Sequence, residues 1–146
     1  MTQHTRVRFY FNVAGYDSAL RQLLGKAWRY GLTVGVLTES APACQALDRM
    51  LWEEPNTGFL PHCLAGSPVA AQTTIWLAHQ LDALHGRQVL FNRSGQDVLP
   101  GFAGEQLVEL VARGDEEGAE QARQRVRRYR QAGYEVEFTD MATHHG

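Results

Sequence analysis

The sequence predicts a single α/β domain, a sandwich in which a mostly parallel, twisted sheet is flanked by helices. Its 146 residues suit one domain. An apolar fraction of 44% beside 21% charged residues is ordinary for a folded globular protein. Short apolar runs alternate with longer segments whose apolar residues recur at helical spacing. We therefore expect a Rossmann-like topology over 1–146, with a flexible tail from about residue 139.

The first half of the chain reads as two strand–helix units. Residues 6–11 alternate into an aromatic run and predict a strand, and the helix after it is expected to stop at Gly31. Residues 33–37 are short, β-branched and nearly all apolar, which is typical of a strand covered on both faces. Ser40 is placed to cap a second helix, which Pro55 ends.

The second half continues the alternation of strands and helices. Its last strand shows clean alternation of apolar and polar residues, and Gly133 ends the long helix before it. In chain order we expect strands at 73–77 and 87–91, a helix at 105–113, a longer helix at about 115–132, and a strand at 134–138.

The motifs of nucleotide binding and covalent catalysis are missing from the sequence. The first strand-to-helix loop, 12–15, holds one glycine instead of a Gly-x-Gly-x-x-Gly run, so a nucleotide-binding loop is not expected. No Gly-x-Ser-x-Gly elbow occurs, and Cys44 and Cys63 do not stand at metal-ligand spacing with histidines. We therefore predict no catalytic residue, cofactor or metal ion.

Composition also bears on location and on partners. No stretch approaches the roughly 18 consecutive apolar residues of a membrane helix, and the first residues lack an apolar signal region. We expect a cytoplasmic protein without a membrane partner. A net charge of −2 argues against strong nonspecific binding to nucleic acid.

Residues 51–62, called here the bend segment, combine large apolar side chains with turn formers. Such a segment either seals the edge of the core or docks a partner, because rigid aromatic anchors give contact area at little entropic cost. The candidate docking residues are Leu51, Trp52, Pro55, Phe59, Leu60 and Pro61.

The long C-terminal helix separates its charges, with acids at its start and arginines at its end. That polarity suits the helix dipole, so one interpretation is simply a solvated helix. At helical spacing, however, an apolar strip that includes Val126 lies beside a strip formed by Arg123, Arg127 and Arg130. Nucleic-acid phosphates would suit such arginines, but an acidic peptide with a hydrophobic end suits both strips and is favoured.

Two motifs resemble the chi subunit family of bacterial DNA polymerase III, and the similarity covers most of the chain. The more distinctive motif lies around the bend segment, and the second lies at the end of the long helix. They read Leu47-Asp48-x-x-Leu51-Trp52-x-x-Pro55, then Phe59-x-Pro61-His62-x-Leu64-Ala65-Gly66, and Tyr129-Arg130-x-Ala132-Gly133-Tyr134.

The resemblance implies a noncatalytic adaptor. Members of that family bind the psi subunit of the clamp loader, which implies a 1:1 heterodimer with psi docked on the bend segment. Their other partner is the single-stranded-DNA-binding protein, whose acidic tail ends in an aromatic residue and a free carboxylate, so DNA is reached only indirectly. Arg123 matches a basic residue that grips this tail, and a helicase-like repair protein uses an overlapping surface in some relatives.

The sequence departs from the family pattern at two positions of the implied tail site. Val126 stands where a tyrosine is usual and Ala119 where a lysine is usual, and Arg127 and Arg130 are the candidates to offset that lysine. Two other functions stay open on the residues alone. One is a small enzyme with a ligand site at the carboxyl ends of the strands, and the other is a module that binds single-stranded DNA directly.

Overall fold

A computed structural model of the protein describes residues 5–53 and 60–142, and within these ranges seven strands form one parallel sheet. The strand order across the sheet is β3-β4-β2-β5-β6-β1-β7. The strands are β1 (Arg6–Val13), β2 (Val34–Leu37), β3 (His62–Leu64), β4 (Ile75–Ala78), β5 (Val89–Asn92), β6 (Gln106–Ala112) and β7 (Val136–Asp140). The helices are α1 (Tyr16–Arg29), α2 (Ala41–Glu53) and α3 (Glu116–Gln131).

The helices cover both faces of the sheet, so the predicted α/β sandwich is confirmed. α1 and α2 bury their apolar residues in one core cluster, and α3 contributes to a second cluster on the opposite face. Every residue of β2 is buried, as expected for a parallel strand between two layers of helices. The two cores together fix α3 on the face away from α1 and α2.

Helix starts follow the capping residues that the sequence offers. The Ser40 hydroxyl accepts a hydrogen bond from the Ala43 amide at 3.2 Å and starts α2. The Asp115 carboxylate accepts one from the Gly118 amide at 2.9 Å and starts α3, whose first turn is acidic as the helix dipole favours. The polar residues before each apolar run therefore set where these helices begin.

The helix predicted at 105–113 is wrong, because this segment is the strand β6 between β5 and β1. Leu107, Leu110 and Val111 stand at helical spacing, and the polar Glu109 interrupts the apolar residues between them. Glu109 is instead buried, with a charged partner on α3. A polar residue in a strand covered on both faces thus imitated the periodicity of a helix.

Two further boundaries differ from the sequence prediction. The bend segment ends in the edge strand β3, which was not predicted, and its residues Pro55 and Phe59 lie outside the described residues. Residues 139 and 140, which were predicted to belong to a tail, lie in β7, where Asp140 is the register partner of Phe11 in β1. Pairing with β1 keeps these last residues in the sheet.

A buried ion pair joins α3 to the sheet. Arg125 of α3 donates to Glu109 Oε1 from Nη2 at 2.8 Å and from Nε at 3.1 Å, and Nη1 donates to the Gly95 carbonyl at 3.1 Å. The amide of Asn92 donates to the other carboxylate oxygen at 3.1 Å. Burial raises the pKa of Glu109, against the opposing effect of the Arg125 guanidinium. Each buried charged group is therefore compensated, as a dry site requires.

The loop after β5 is held by the same side of α3. The Tyr129 hydroxyl accepts a hydrogen bond from the Val98 amide at 3.1 Å. Arg128 binds Asp97 with a two-point contact at 2.6 and 2.8 Å, and the hydrogen bond from Arg128 lowers the pKa of Asp97. The side of α3 that carries Arg125, Arg128 and Tyr129 therefore contacts the rest of the fold.

We predict that Glu109→Ala destabilises the protein by about 3 to 5 kcal/mol, because it leaves the Arg125 guanidinium buried without its counter-charge. Urea unfolding followed by circular dichroism measures the free energy of unfolding. Asp97→Ala removes a carboxylate from an exposed pair and should cost at most about 1 kcal/mol.

The double variant Glu109→Leu, Arg125→Met tests the same explanation from the other direction. Replacing both charges by apolar groups should recover most of the loss, because no buried charge is then left unpaired. If Glu109→Ala costs no more than Asp97→Ala, the pair does not hold α3 as described.

Candidate functional site

A groove of about 1040 Å³ runs between α3 and the strands β6, β1 and β7. The sheet supplies its floor and α3 supplies its wall. It lies on the side of α3 that the ion pair with the sheet does not use. The residues that shape it are Phe9, Phe11, Val111, Ala119, Ala122, Arg123, Val126, Arg127, Arg130 and Phe138.

Three phenylalanine rings form the floor. Phe9 and Phe138 are register partners in the neighbouring strands β1 and β7, with ring centroids 6.4 Å apart. Phe11 follows Phe9 by two positions, hence on the same face, and its ring lies 6.3 Å from that of Phe138. The Phe138 side chain remains 49% exposed although it is large and apolar. The floor therefore offers an aromatic surface to a ligand.

The wall combines small residues with arginines. Ala119 and Ala122 take little space, so the groove extends up to the helix. All four residues of the predicted tail site, Arg123, Val126, Arg127 and Arg130, line this one groove. The structure thus brings these four residues together, and their role in binding an acidic tail stays a prediction. The guanidinium of Arg130 lies over the Phe138 ring at 5.1 Å and joins the cationic wall to the aromatic floor.

Charge varies along the groove. Asp115 and Glu116 line the end near the start of α3, and Arg127 and Arg130 line the other end. Between them Arg123 donates to the Glu120 carboxylate at 2.8 and 3.1 Å, and this hydrogen bonding lowers the pKa of Glu120. Both partners are exposed, so the contact is weak and exchanges readily with another carboxylate.

The acidic end of the groove adjoins the carboxyl ends of β1 and β6, where an enzyme of this fold would place its ligand. The polar side chains at this end of the groove make hydrogen bonds that stabilise the fold. Asn12 donates to the Asp140 carboxylate at 3.1 Å, and Asp115 caps α3. Within 5–53 and 60–142, no three His, Cys, Asp or Glu residues group closely enough to hold a metal ion.

The phenylalanines of the floor were not among the predicted site residues. The aromatic run at 9–11 and the alternation at 134–138 were both visible in the sequence. The phenylalanines are adjacent only because β1 pairs with β7, which lies more than 120 residues further along the chain. A parallel pairing over such a separation leaves no local signal.

The bend segment divides into core and surface. Leu51 and Leu60 are buried in the core beneath α2, whereas the Trp52 side chain is 54% exposed at the end of the helix. Pro61 is half-buried. The core-edge interpretation thus fits the two leucines, and Trp52 remains a large apolar surface beside them.

Two contacts fix the turn that carries Trp52. Arg21 of α1 donates to the carbonyls of Met50 at 2.8 Å and Leu51 at 3.2 Å, so its charge caps the carboxyl end of α2. The ring of His62 lies against the Trp52 indole with centroids 4.5 Å apart. The exposed indole is therefore held on a fixed base.

The sequence of this chain is similar to those of known proteins. Residues 4–137 match the family model described as DNA polymerase III chi subunit, HolC. A DNA polymerase III subunit chi of Pseudomonas aeruginosa is 32% identical over 141 residues, covering 91% of this chain and 94% of that relative. Another, from Haemophilus influenzae, is 29% identical over 119 residues, covering 78% and 79%. None of the helices in the described part of the chain is long and apolar enough to cross a membrane.

We predict that Trp52→Ala lowers the free energy of unfolding by no more than about 1.5 kcal/mol, the value of an aromatic contact, because half of the side chain is already exposed. Leu51→Ala, at the adjacent buried position, should cost about 2 to 5 kcal/mol by opening a cavity. Urea unfolding of the two variants measures the difference. Equal losses would mean that Trp52 is a core residue.

Proposed function

The chain belongs to the DNA polymerase III chi subunit family, and we propose that it is a noncatalytic accessory subunit that links the clamp loader to coated single-stranded DNA in the cytoplasm. One surface would bind the psi subunit, and the other would bind the acidic tail of single-stranded-DNA-binding protein. The observation that carries the proposal is the groove, in which the four predicted tail-binding residues and three phenylalanines meet.

The chemistry of the groove matches a peptide that ends in an aromatic residue and a free carboxylate. An aromatic side chain fits the phenylalanine floor, where ring contacts contribute about 0.5 to 1.5 kcal/mol beyond burial. Carboxylates fit the guanidinium groups of Arg123, Arg127 and Arg130, because the guanidinium fork binds such groups in two-point contacts. Acidic residues before the terminus would meet the same row of arginines.

The two positions that depart from the family pattern affect the shape of the groove. Ala119 and Val126 both line the groove, so smaller side chains at these places leave the floor more open. Arg127 and Arg130 supply positive charge on the same wall. We propose that charge from these two arginines replaces that of the lysine usual in the family.

A direct role in binding single-stranded DNA is less well supported. Such binding needs a cationic track that follows several phosphates, together with stacking platforms. The arginine wall here is short, and Asp115 and Glu116 line the same groove. An extended polyanion would meet these carboxylates, whereas a short peptide end need not reach them.

Trp52 and its neighbours form the proposed surface for psi in a 1:1 complex. A half-exposed indole fixed at a helix end has the features of a binding hot spot. Buried Leu51 and Leu60 support it from below. A helicase-like repair protein is a second candidate for the same surface, in competition with psi.

We predict that Arg123→Ala weakens binding of a synthetic acidic peptide with a carboxyl-terminal phenylalanine by roughly 1 to 3 kcal/mol, because a charge-assisted contact is lost. Isothermal titration calorimetry measures the affinity. Arg128→Ala is the matched control, since it removes the same charge from the same helix but Arg128 faces Asp97 instead of the groove.

Two further titrations sharpen that experiment. The same peptide with an amidated terminus should bind wild-type protein more weakly, because the terminal carboxylate is gone. Unchanged affinity in Arg123→Ala would contradict the tail site. Strong, steeply salt-dependent binding of a bare oligonucleotide would favour direct DNA binding instead.

We also predict that Trp52→Ala loses the psi subunit in a pull-down while it retains the acidic peptide, and that Arg123→Ala shows the reverse. The two surfaces lie on opposite faces of the sheet, so each defect should be separate. Thermal unfolding controls for folding. Wild-type recovery of psi by Trp52→Ala would show that docking occurs elsewhere.

A further inference from the structure

Arg123 differs from the other arginines of the groove because, within the described part of the chain, it already binds a carboxylate. Its Nη2 and Nε donate to one oxygen of Glu120, at 2.8 and 3.1 Å. Arg127 forms no ion pair with a described residue, and the Arg130 guanidinium lies over the Phe138 ring. The predicted tail site therefore contains one arginine whose charge is partly neutralised before a ligand arrives.

The contact with Glu120 occupies donors that a ligand would use. A guanidinium binds a carboxylate through a pair of adjacent N–H groups, and Nε and Nη2 of Arg123 form such a pair. Arg123 lines the groove, whereas Glu120 lies outside the groove lining, so the contact directs these donors away from the floor. A ligand carboxylate must displace Glu120 or bind beside it. Displacement is favoured, because two carboxylates on one guanidinium repel each other.

Release of Glu120 costs little, because the ion pair is exposed. The side chains of Arg123 and Glu120 are 65% and 55% exposed, and ion pairs of this kind contribute little to stability. The hydrogen bonds from Arg123 lower the pKa of Glu120, so its carboxylate is charged at neutral pH. A ligand carboxylate inside the groove would lie near the phenylalanine floor, where water screens its charge less. The ligand therefore gains more from Arg123 than Glu120 loses.

We propose that Glu120 is a positioning residue of the tail site that competes with the ligand for Arg123. The acidic peptide binds by exchanging its own carboxylate for that of Glu120, so the contribution of Arg123 to affinity is the difference between two ion pairs. This exchange keeps the complex weak and readily reversible. The inference rests on the proposed binding of an acidic tail in the groove.

The first experiment titrates the acidic peptide with its carboxyl-terminal phenylalanine into the full chain by calorimetry. Glu120→Gln keeps the size of the side chain and removes the competing charge, so the peptide should bind about two- to fivefold more tightly. Glu117→Gln is the matched control. Glu117 is exposed on the same helix and forms no ion pair with a described residue, so its effect should be clearly smaller.

The salt dependence of binding separates competition from a structural role of Glu120. The wild-type protein replaces one ion pair by another at Arg123, whereas Glu120→Gln forms a new ion pair with the peptide. Affinity should therefore fall more steeply with salt in Glu120→Gln than in the wild-type protein. In the Arg123→Ala background, Glu120→Gln should change affinity no more than Glu117→Gln does, because its effect acts through Arg123.

Carbon-13 NMR of the glutamate carboxyl groups follows the exchange directly. Glu120→Gln identifies the Glu120 resonance by its disappearance. In the wild-type protein this resonance should move when the peptide is added, because Glu120 is released from Arg123. The resonance should stay in place in Arg123→Ala, where no ion pair with Arg123 exists to be broken.

The outcomes distinguish this inference from the proposed function on which it rests. Peptide binding that requires Arg123 but is unchanged or weakened in Glu120→Gln would overturn the competition and leave the tail site supported. A Glu120 resonance that stays fixed when the peptide saturates the wild-type protein would also overturn it. Absence of peptide binding to both the wild-type protein and Glu120→Gln would refute the tail site itself, and this inference with it.

Discussion

The ion pair between Arg125 and Glu109 is the contact on which the position of α3 depends. It crosses the core from the helix to a central strand, where a misplaced guanidinium would lose its buried counter-charge. Because Arg125 points inward, the arginines on either side of it in the sequence are turned away from the sheet centre. Arg123 and Arg127 thereby reach the groove, and Arg128 reaches the loop after β5. The buried position of Arg125 therefore determines where Arg123, Arg127 and Arg128 point.

The sequence predicted well wherever a signal was local. Helical spacing placed Arg123 and Arg127 beside the apolar strip that includes Val126, and in the structure all three line one groove. Ser40 and Gly133 marked helix ends correctly. Each of these depends on residues within a few positions of one another, where geometry is nearly independent of the rest of the chain.

The failures concern residues whose environment is made by distant parts of the chain. The segment 105–113 was predicted as a helix, and nothing near Glu109 in the sequence shows that its partner lies 16 positions later on another element. The floor of the groove requires Phe9 and Phe138 in neighbouring strands, and no sequence pattern near either residue indicates that pairing. The bend segment was read as a unit, yet burial separates Leu51 from the adjacent Trp52, because successive residues of a helix point in different directions.

The position of β1 in the sheet has a consequence for how the protein is made. β1 is synthesised before the other described strands, but its two neighbours, β6 and β7, are the last two of them. Until they leave the ribosome, Phe9 and Phe11 have no strands to pair beside them, and the apolar face they belong to stays uncovered. Such nonlocal pairing slows folding. The groove is therefore complete only after β7 has left the ribosome.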